Sequence, residues 1–123
     1  MARVLIVDDT EIVRCALEIA LRRMGHDALS TSDGRVALDL AERQPPDLAL
    51  LDWRMPHMDG GELFAELRDR LGDRCPKVLF LSGSPPEEVR AGVERGELRP
   101  IGYVRKPFHL DDLSKVVEAA LAA

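Results

Sequence analysis

The sequence predicts a doubly wound α/β fold, in which five parallel strands of order 2-1-3-4-5 form a sheet with helices on both faces. The first indication is an alternation of short apolar runs with segments of about ten to fifteen residues that have helical periodicity. The second is that the runs are apolar on both faces, as in strands covered on both sides. Because crossovers between parallel strands are right-handed, few arrangements of such units are possible, and this order is a common one.

The first strand and helix are expected near the start of the chain. Arg3–Val7 is a short apolar run followed by acidic residues, which predicts a buried strand. Thr10 is the expected N-cap of the first helix, and Gly25 is its stop signal. The apolar residues between them are spaced by three and four positions, as on one helix face: Val13, Ala16, Leu17, Ala20, Leu21 and Met24.

The second unit is a weak strand, Asp27–Thr31, followed by a helix that Ser32 or Asp33 caps. The Pro45-Pro46 pair ends this helix, since the residue before a proline disfavours helical geometry. The residues of this helix expected to face inward are Val36, Ala37, Leu40 and Ala41.

The third strand is predicted over Asp47–Leu51, which is entirely apolar after its first residue. A loop rich in turn-forming residues, Met55–Gly60, leads from it into the third helix. The apolar side of that helix consists of Leu63, Phe64, Leu67 and Leu71.

The last two units repeat this pattern. Lys77–Leu81 is the fourth strand, and Ser84 is expected to cap the next helix, because the Pro85-Pro86 pair suits a first helical turn. Ile101–Val104 is the fifth strand, and a helix over His109–Ala122 follows it. The residues expected to face inward in these two helices are Val89, Val93, Leu113, Val116, Val117, Ala120 and Leu121.

Length and composition predict one soluble, cytosolic domain over residues 1–123. The apolar runs are too short to span a bilayer, so no membrane partner is expected. The net charge of -5 argues against nucleic acid as a direct partner, because phosphate backbones attract basic surfaces. Cys15 and Cys75 lack the spacing of a metal site and are expected to be reduced thiols.

Three carboxylates follow two of the predicted strands. Asp8 and Asp9 come after the first strand, and Asp52 comes after the third. In a sheet of this order, both strand ends face the switch point where ligands bind. Grouped anions repel each other, and a few oxygen ligands completed by water suit Mg²⁺. The sequence therefore predicts that Asp9 and Asp52 bind the ion, and that Asp8 acts directly or through a metal-bound water.

A carboxylate beside Mg²⁺ can also attack a phosphoryl donor and form an acyl phosphate, because the metal neutralises oxygens of the transferring group. Such a site needs a hydroxyl and a cation at the same cleft. Ser82 ends the fourth strand, and Lys106 follows the fifth. Each of these residues taken singly is commoner as a turn or surface residue. Their joint occurrence at the strand ends favours one phosphoryl-transfer site.

The motifs that contain these residues resemble those of the receiver domains of two-component response regulators, and the resemblance covers the whole chain. The matching segments are Val7–Asp9, Leu50–Gly60, Leu81–Gly83 and Tyr103–Phe108. The second of them is similar to that of the stand-alone chemotaxis response regulator. The resemblance implies the flavodoxin-like (βα)5 form of the fold. It also implies a phosphorelay switch that catalyses only its own phosphorylation and dephosphorylation, and so is no enzyme toward other substrates.

For the acidic residues, the resemblance implies that Asp52 is the phosphoacceptor. Asp8, Asp9 and Asp52 would bind Mg²⁺ or Mn²⁺, with the backbone carbonyl of Arg54 as a further ligand. The phosphoryl donor would be a phosphohistidine on a histidine kinase or on a histidine phosphotransfer protein. An output domain or a downstream protein would receive the signal.

For the remaining polar residues, the resemblance implies that Ser82 hydrogen-bonds a phosphoryl oxygen and that Lys106 pairs with the phosphoryl group. The peptide bond before Pro107 would be cis, a geometry largely confined to proline. Tyr103 matches the switch aromatic, which turns inward when the group on strand 4 moves toward the phosphoryl group. The alternative for Tyr103 is a half-buried strand tyrosine.

Two further sets of residues have weaker assignments. Arg54 and Ser84 match positions that tune the lifetime of the phosphorylated state, although Arg54 could equally be a solvated arginine. The first helix has a second apolar stripe beside the acidic pocket, which the resemblance implies docks the phosphohistidine-bearing partner. This stripe could instead be part of a wider core, and it consists of Ile12, Cys15 and Ile19.

The chain departs from the family pattern after its fourth helix. The segment Arg95–Gly102 is longer than usual, and Pro100 can lie only at the start or edge of a strand. Gly92 weakens the fourth helix by about 1 kcal/mol relative to alanine. These features suggest a loosely held fourth helix.

Three other functions fit the sequence less well. A phosphohydrolase acting through an aspartyl phosphate needs a second acid two residues after its nucleophile, where this chain has Arg54. An FMN-binding protein would need a phosphate-binding loop after the first strand, where Asp8 and Asp9 have the wrong charge. A pseudo-receiver that only binds partners usually lacks one of the acids or the lysine, and all are present here.

Overall fold

The computed structural model describes all residues from 1 to 123 and contains one five-stranded parallel sheet. The predicted order is confirmed: the strands lie side by side as β2-β1-β3-β4-β5. The strands are β1 (Arg3–Val7), β2 (Asp27–Thr31), β3 (Leu48–Asp52), β4 (Lys77–Ser82) and β5 (Gly102–Arg105). The helices are α1 (Glu11–Arg23), α2 (Gly34–Arg43), α3 (Gly60–Leu71), α4 (Pro86–Arg95) and α5 (Leu110–Ala122), and a 3-10 turn at Gly72–Arg74 follows α3.

Two apolar cores lie on opposite faces of the sheet, because side chains alternate along each strand. In β1, Leu5 and Val7 pack with residues of α2, α3 and α4, whereas Val4 and Ile6 pack with residues of α1 and α5. Every residue of β3 is buried, as expected for a strand that helices cover on both sides. None of the five helices combines the length and the apolar character needed to cross a bilayer.

The register of the sheet brings the predicted polar residues to one edge. Val7 pairs with Leu51, so that the acidic residues that end β1 and β3 emerge side by side. Ser82 pairs with Arg105, which places Ser82 beside the chain segment that contains Lys106. The carboxyl ends of the three central strands and of β5 therefore form a single polar rim.

The inward face of α2 differs from the prediction. Val36 is 44% exposed, and Leu38 is buried in its place. The buried face consists of residues at positions i, i+3, i+4 and i+7, namely Gly34, Ala37, Leu38 and Ala41. Gly34 lies against the Met58 side chain, where a Cβ atom would be 2.9 Å from the sulfur. A glycine at the start of the helix is thus part of its buried face, and an apolar pattern does not reveal such a residue.

Two predicted helix caps are also different in the structure. Thr10 lies at the N-cap of α1, but its side chain makes no capping hydrogen bond, and its N–H donates to Asp8 Oδ1 at 2.9 Å. Ser84 is not the cap of α4, because Pro85 occupies that position. By contrast, Asp33 caps α2 as predicted, with its carboxylate accepting from the N–H of Arg35 at 2.8 Å.

The predicted boundaries of β3, β4 and β5 each miss one residue at the carboxyl end, since Asp52, Ser82 and Arg105 still belong to the strands. Their pairing with neighbours continues into the polar rim. A change to polar side chains predicts the end of a strand, but backbone pairing extends past this change. Pro100 precedes β5, an edge strand, as its missing N–H requires.

Gly92 has a packing role that the sequence did not reveal. A Cβ atom at this position of α4 would lie 2.4 Å from Cζ2 and 2.6 Å from Cη2 of Trp53. The indole is itself 7% exposed and packs edge-on against Phe80, so it has little room to move. Glycine is therefore present in the middle of this helix because Trp53 approaches its backbone.

We expect Gly92→Ala to destabilise the protein by about 1 to 3 kcal/mol, although alanine is the better helix former. Urea unfolding measures the change. In a Trp53→Ala background the clash is absent, so the same substitution should be neutral or stabilising. A gain in stability on the wild-type background would show that Trp53 does not constrain α4.

Candidate functional site

Three carboxylates lie together at the carboxyl edge of the sheet. Asp8 follows β1 and is fully buried, Asp52 ends β3 and is 5% exposed, and Asp9 is exposed. One oxygen from each lies within 4.8 Å of the others. Ligands of an octahedral Mg²⁺ are about 3 Å apart when adjacent and about 4.2 Å apart when opposite, so the three oxygens lie near the spacing that one shared ion requires. The donor set therefore fits a hard divalent cation that keeps part of its water.

Lys106 supplies the positive charge of this cluster. Its Nζ atom lies 2.6 Å from Asp8 Oδ2 and 3.3 Å from Asp52 Oδ1. Its backbone N–H donates to the carbonyl of Ser82 at 2.7 Å, which fixes the chain beyond β5. The Lys106–Pro107 peptide bond is cis. Residues from β1, β3 and the β5–α5 loop thus converge, as the sequence predicts.

Burial and charge perturb the ionisation of this cluster. Burial, together with the neighbouring Asp8 carboxylate, raises the pKa of Asp52 to about 7, although Lys106 acts in the opposite direction. Burial alone would lower the pKa of Lys106, but the hydrogen bond to Asp8 and the charges of Asp52 and Asp8 raise it above its ordinary value. The pocket therefore holds more negative charge than its one lysine balances.

Ser82 lies at the end of β4 and is 7% exposed. Its Oγ atom accepts a hydrogen bond from the N–H of Ser84 at 2.9 Å, which leaves its own hydroxyl proton free to donate. A cavity of about 110 Å³ lies behind it, and Val89 and Tyr103 contribute to the walls. Tyr103 is 48% exposed and stacks on Phe80 with ring centroids 6.3 Å apart. The structure therefore has an open space beside Ser82 that an inward-turned Tyr103 could enter.

The Arg54 side chain is largely exposed but is held by two contacts. Its Nε atom donates to Ser84 Oγ at 2.9 Å, and its guanidinium forms an ion pair with Glu88 in the first turn of α4. No sequence pattern predicts the role of Glu88, since it lies far from Arg54 along the chain. Arg54 thus joins the loop after the acidic cluster to α4.

The loop between β3 and α3 is held close to the site by features that a sequence pattern could have revealed. Asp59 and Glu62 form a capping box, in which each side chain accepts from the backbone N–H of the other. The Asp-x-x-Glu spacing is the signal for this motif. A Cβ atom on Gly60 would lie 2.5 Å from the carbonyl oxygen of Asp52, so only glycine fits there.

The second apolar stripe of α1 lies on the surface of the protein. Ile12 is 81% exposed, and Cys15 and Ile19 are also exposed. The alternative of a wider core is therefore wrong for these residues. They form an apolar patch on the helix that begins beside the acidic cluster.

Comparisons with known proteins agree with this arrangement. A family model for the response regulator receiver domain matches residues 4–118. The chain is 39% identical over 119 residues to the regulatory protein AtoC of Escherichia coli, and 35% identical over 121 residues to the alkaline phosphatase synthesis transcriptional regulatory protein PhoP of Bacillus subtilis. These alignments cover 97% of this chain but only 25% and 48% of the relatives, so the chain spans half or less of their length.

Solved structures of similar proteins share the whole fold. The chemotaxis protein CheY4 of Vibrio cholerae superimposes with a TM-score of 0.88 at 28% identity, covering 98% of both chains. The receiver domain of a sensor histidine kinase from Pseudomonas aeruginosa superimposes with a TM-score of 0.86 at 25% identity, covering 99% of this chain and 98% of that one. That domain has a magnesium ion coordinated in its active-site cleft.

The raised pKa of Asp52 predicts a loss of stability with pH in the absence of divalent cations. Between the ordinary value of 3.8 and about 7, the folded protein retains a proton that the unfolded chain has lost, so stability falls as pH rises through this window. Asp52→Asn carries no charge and should escape this loss. We expect it to stabilise the protein by about 1 to 4 kcal/mol at about pH 8, and far less at about pH 4.

Urea unfolding in EDTA at the two pH values measures this difference. Asp39→Asn on the exposed face of α2 removes the same charge outside the cluster and is the matched control. A gain for Asp52→Asn that is no larger at high pH than at low pH would contradict the predicted charge imbalance.

Proposed function

This chain belongs to the response regulator receiver domain family of two-component systems, and we propose that it accepts a phosphoryl group on Asp52 in a Mg²⁺-dependent reaction. The observation that supports this proposal most is the convergence of Asp8, Asp9, Asp52 and Lys106 at one edge of the sheet. Such a cluster has a nucleophile, ligands for a divalent cation and a fixed ammonium group within one cleft.

The reaction proposed for Asp52 is attack by a carboxylate oxygen on the phosphorus of a phosphohistidine. An O–P bond forms while the P–N bond breaks, and the electron pair of that bond remains on the imidazole nitrogen of the donor. Asp8 and Asp9 would hold Mg²⁺ or Mn²⁺ with Asp52 and the carbonyl of Arg54. The ion would neutralise oxygens of the transferring group. Lys106, already within 3.3 Å of Asp52, would pair with the phosphoryl group once it is attached.

Ser82 and Tyr103 are proposed to report the phosphorylated state. The free hydroxyl proton of Ser82 would donate to a phosphoryl oxygen, and movement of this residue would favour entry of Tyr103 into the cavity beside it. New charge-assisted hydrogen bonds would bias an equilibrium between two positions of the ring. The changed surface around β5 would then act on an output domain or a downstream protein. Arg54 and Ser84, which lie next to this path, are proposed to tune the lifetime of the acyl phosphate.

We expect incubation with acetyl phosphate and Mg²⁺ to increase the mass of the wild-type protein by one phosphoryl group, and to leave Asp52→Asn unchanged. Intact-protein mass spectrometry measures the increase, and EDTA should prevent it. The same samples test Tyr103, the only tyrosine in the chain, since its nitration should become slower as the ring turns inward. Asp39→Asn is again the control, and it should be phosphorylated like the wild type.

No mass increase in the wild-type protein would favour a pseudo-receiver that only binds partners. An increase that persists in Asp52→Asn would place the phosphoacceptor elsewhere. Nitration that does not change upon phosphorylation would remove Tyr103 from the mechanism.

The apolar patch of Ile12, Cys15 and Ile19 on α1 is proposed to dock the histidine kinase or phosphotransfer protein that donates the phosphoryl group. Ile19→Glu should therefore reduce the rate of transfer from a phosphohistidine-bearing domain by more than about tenfold. The rate with acetyl phosphate should not change, because a small donor needs no docking surface.

Val36→Glu on α2 is the matched control, since it places the same charge at another exposed apolar position. Equal transfer rates for the two variants would argue against a docking role for α1. A parallel loss of phosphorylation by acetyl phosphate in Ile19→Glu would indicate damage to the site itself.

A further inference from the structure

The side chain of Arg54 spans the gap between the acidic cluster and α4. It begins two residues after Asp52, and its Nε atom donates to the hydroxyl of Ser84 at 2.9 Å. The guanidinium then forms an ion pair with Glu88 in the first turn of α4. Ser84 is buried, so the midpoint of this connection is fixed, while its charged end lies at the surface.

Arg54 also contributes to the wall of an open cleft of about 490 Å³, together with Asp9 and Glu88. This cleft adjoins the acidic cluster, because Asp9 belongs to both. Arg54 thus has two possible anionic partners beside this cleft. One is the carboxylate of Glu88, and the other is the group that forms when Asp52 is phosphorylated.

We propose that Glu88 is a positioning residue, which holds Arg54 away from Asp52 in the unphosphorylated protein. A phosphoryl group on Asp52 then draws the guanidinium away from Glu88, and this releases the first turn of α4. This inference rests on the proposed function. The Arg54–Glu88 ion pair would then regulate the phosphoacceptor site at Asp52.

The strengths of the two contacts favour this exchange. The Arg54 and Glu88 side chains are 70% and 39% exposed, so solvent screens their ion pair. A phosphoryl group carries more charge than a carboxylate and offers three acceptor oxygens, and a guanidinium can bind it through two parallel hydrogen bonds. The Nε bond to Ser84 can persist while the terminal nitrogens change partner, so that Ser84 serves as a pivot.

Glu88 should still stabilise helix α4 after it loses its ion pair with Arg54. The carboxylate lies in the first helical turn, where the helix dipole favours negative charge. Glu87 lies in the same turn, is exposed and forms no ion pair. It therefore has the charge and helix position of Glu88 without the contact to Arg54, and it provides a matched control.

Beryllofluoride, a phosphoryl mimic, tests the proposal when it is titrated in the presence of Mg²⁺. Trp53, the only tryptophan of the chain, lies next to Asp52 and against α4, so its fluorescence can report binding. Glu88→Gln should bind the mimic about two- to fivefold more tightly than the wild type, because Arg54 no longer has to leave an ion pair. Glu87→Gln should match the wild type.

The double variant separates this effect from a general loss of negative charge. Arg54→Ala should bind the mimic more weakly than the wild type, and adding Glu88→Gln to it should cause no further change. Equal affinities of Glu88→Gln and the wild type would overturn the proposal. The proposal would also be overturned if Glu88→Gln increased the affinity for the mimic equally in the Arg54→Ala background. Failure of the wild type to bind the mimic at all would instead overturn the proposed function, and this inference with it.

Discussion

The balance of charge at the carboxyl edge of the sheet is the constraint on which the rest of the site depends. Lys106 is the only side chain that forms an ion pair with any of the three carboxylates, and it pairs with Asp8 and Asp52. Fully ionised, the cluster would carry three negative charges against one positive charge. Two of the carboxylates are buried, so solvent cannot screen the excess. A proton on Asp52 or a divalent cation at the cluster relieves it. The pKa of Asp52 is raised first by burial and then by the charge of Asp8, and both favour the protonated carboxyl group.

The fold keeps these repelling groups together because they are attached to two neighbouring strands of one sheet, Asp8 and Asp9 to β1 and Asp52 to β3. The pairing of Val7 with Leu51 leaves Asp8 and Asp52 no freedom to separate along the strands. Fully buried apolar side chains fix the same strands from both faces. Packing energy spread over the whole sheet thus offsets an unfavourable interaction confined to one edge. Because the chain cannot relax this repulsion by moving its backbone, the cluster is prepared for a cation before one binds.

The sequence was sufficient to predict the strands, their order and the acidic cluster, because each depends on a pattern that is local or on a general rule of parallel sheets. It failed where one side chain from a distant segment decides the local structure. The apolar pattern places Val36 inward, yet the buried face of α2 begins at Gly34, which lies against Met58. The position of Ser84 before two prolines predicts a helix cap, whereas its hydroxyl accepts from Arg54.

The approach of Trp53 to Gly92 and that of Arg54 to Glu88 give α4 two contacts with consecutive residues after Asp52. The first contact is apolar and close, so a new charge on Asp52 has little direct effect on it. The second is an exposed ion pair, which a nearby phosphoryl group can weaken by competition for the guanidinium. If Arg54 changes partner, the first turn of α4 loses its link to the site while the middle of the helix stays anchored at Trp53. The structural change would then be confined to the amino-terminal end of α4 and the adjoining cavity beside Tyr103. The helix as a whole would not be displaced.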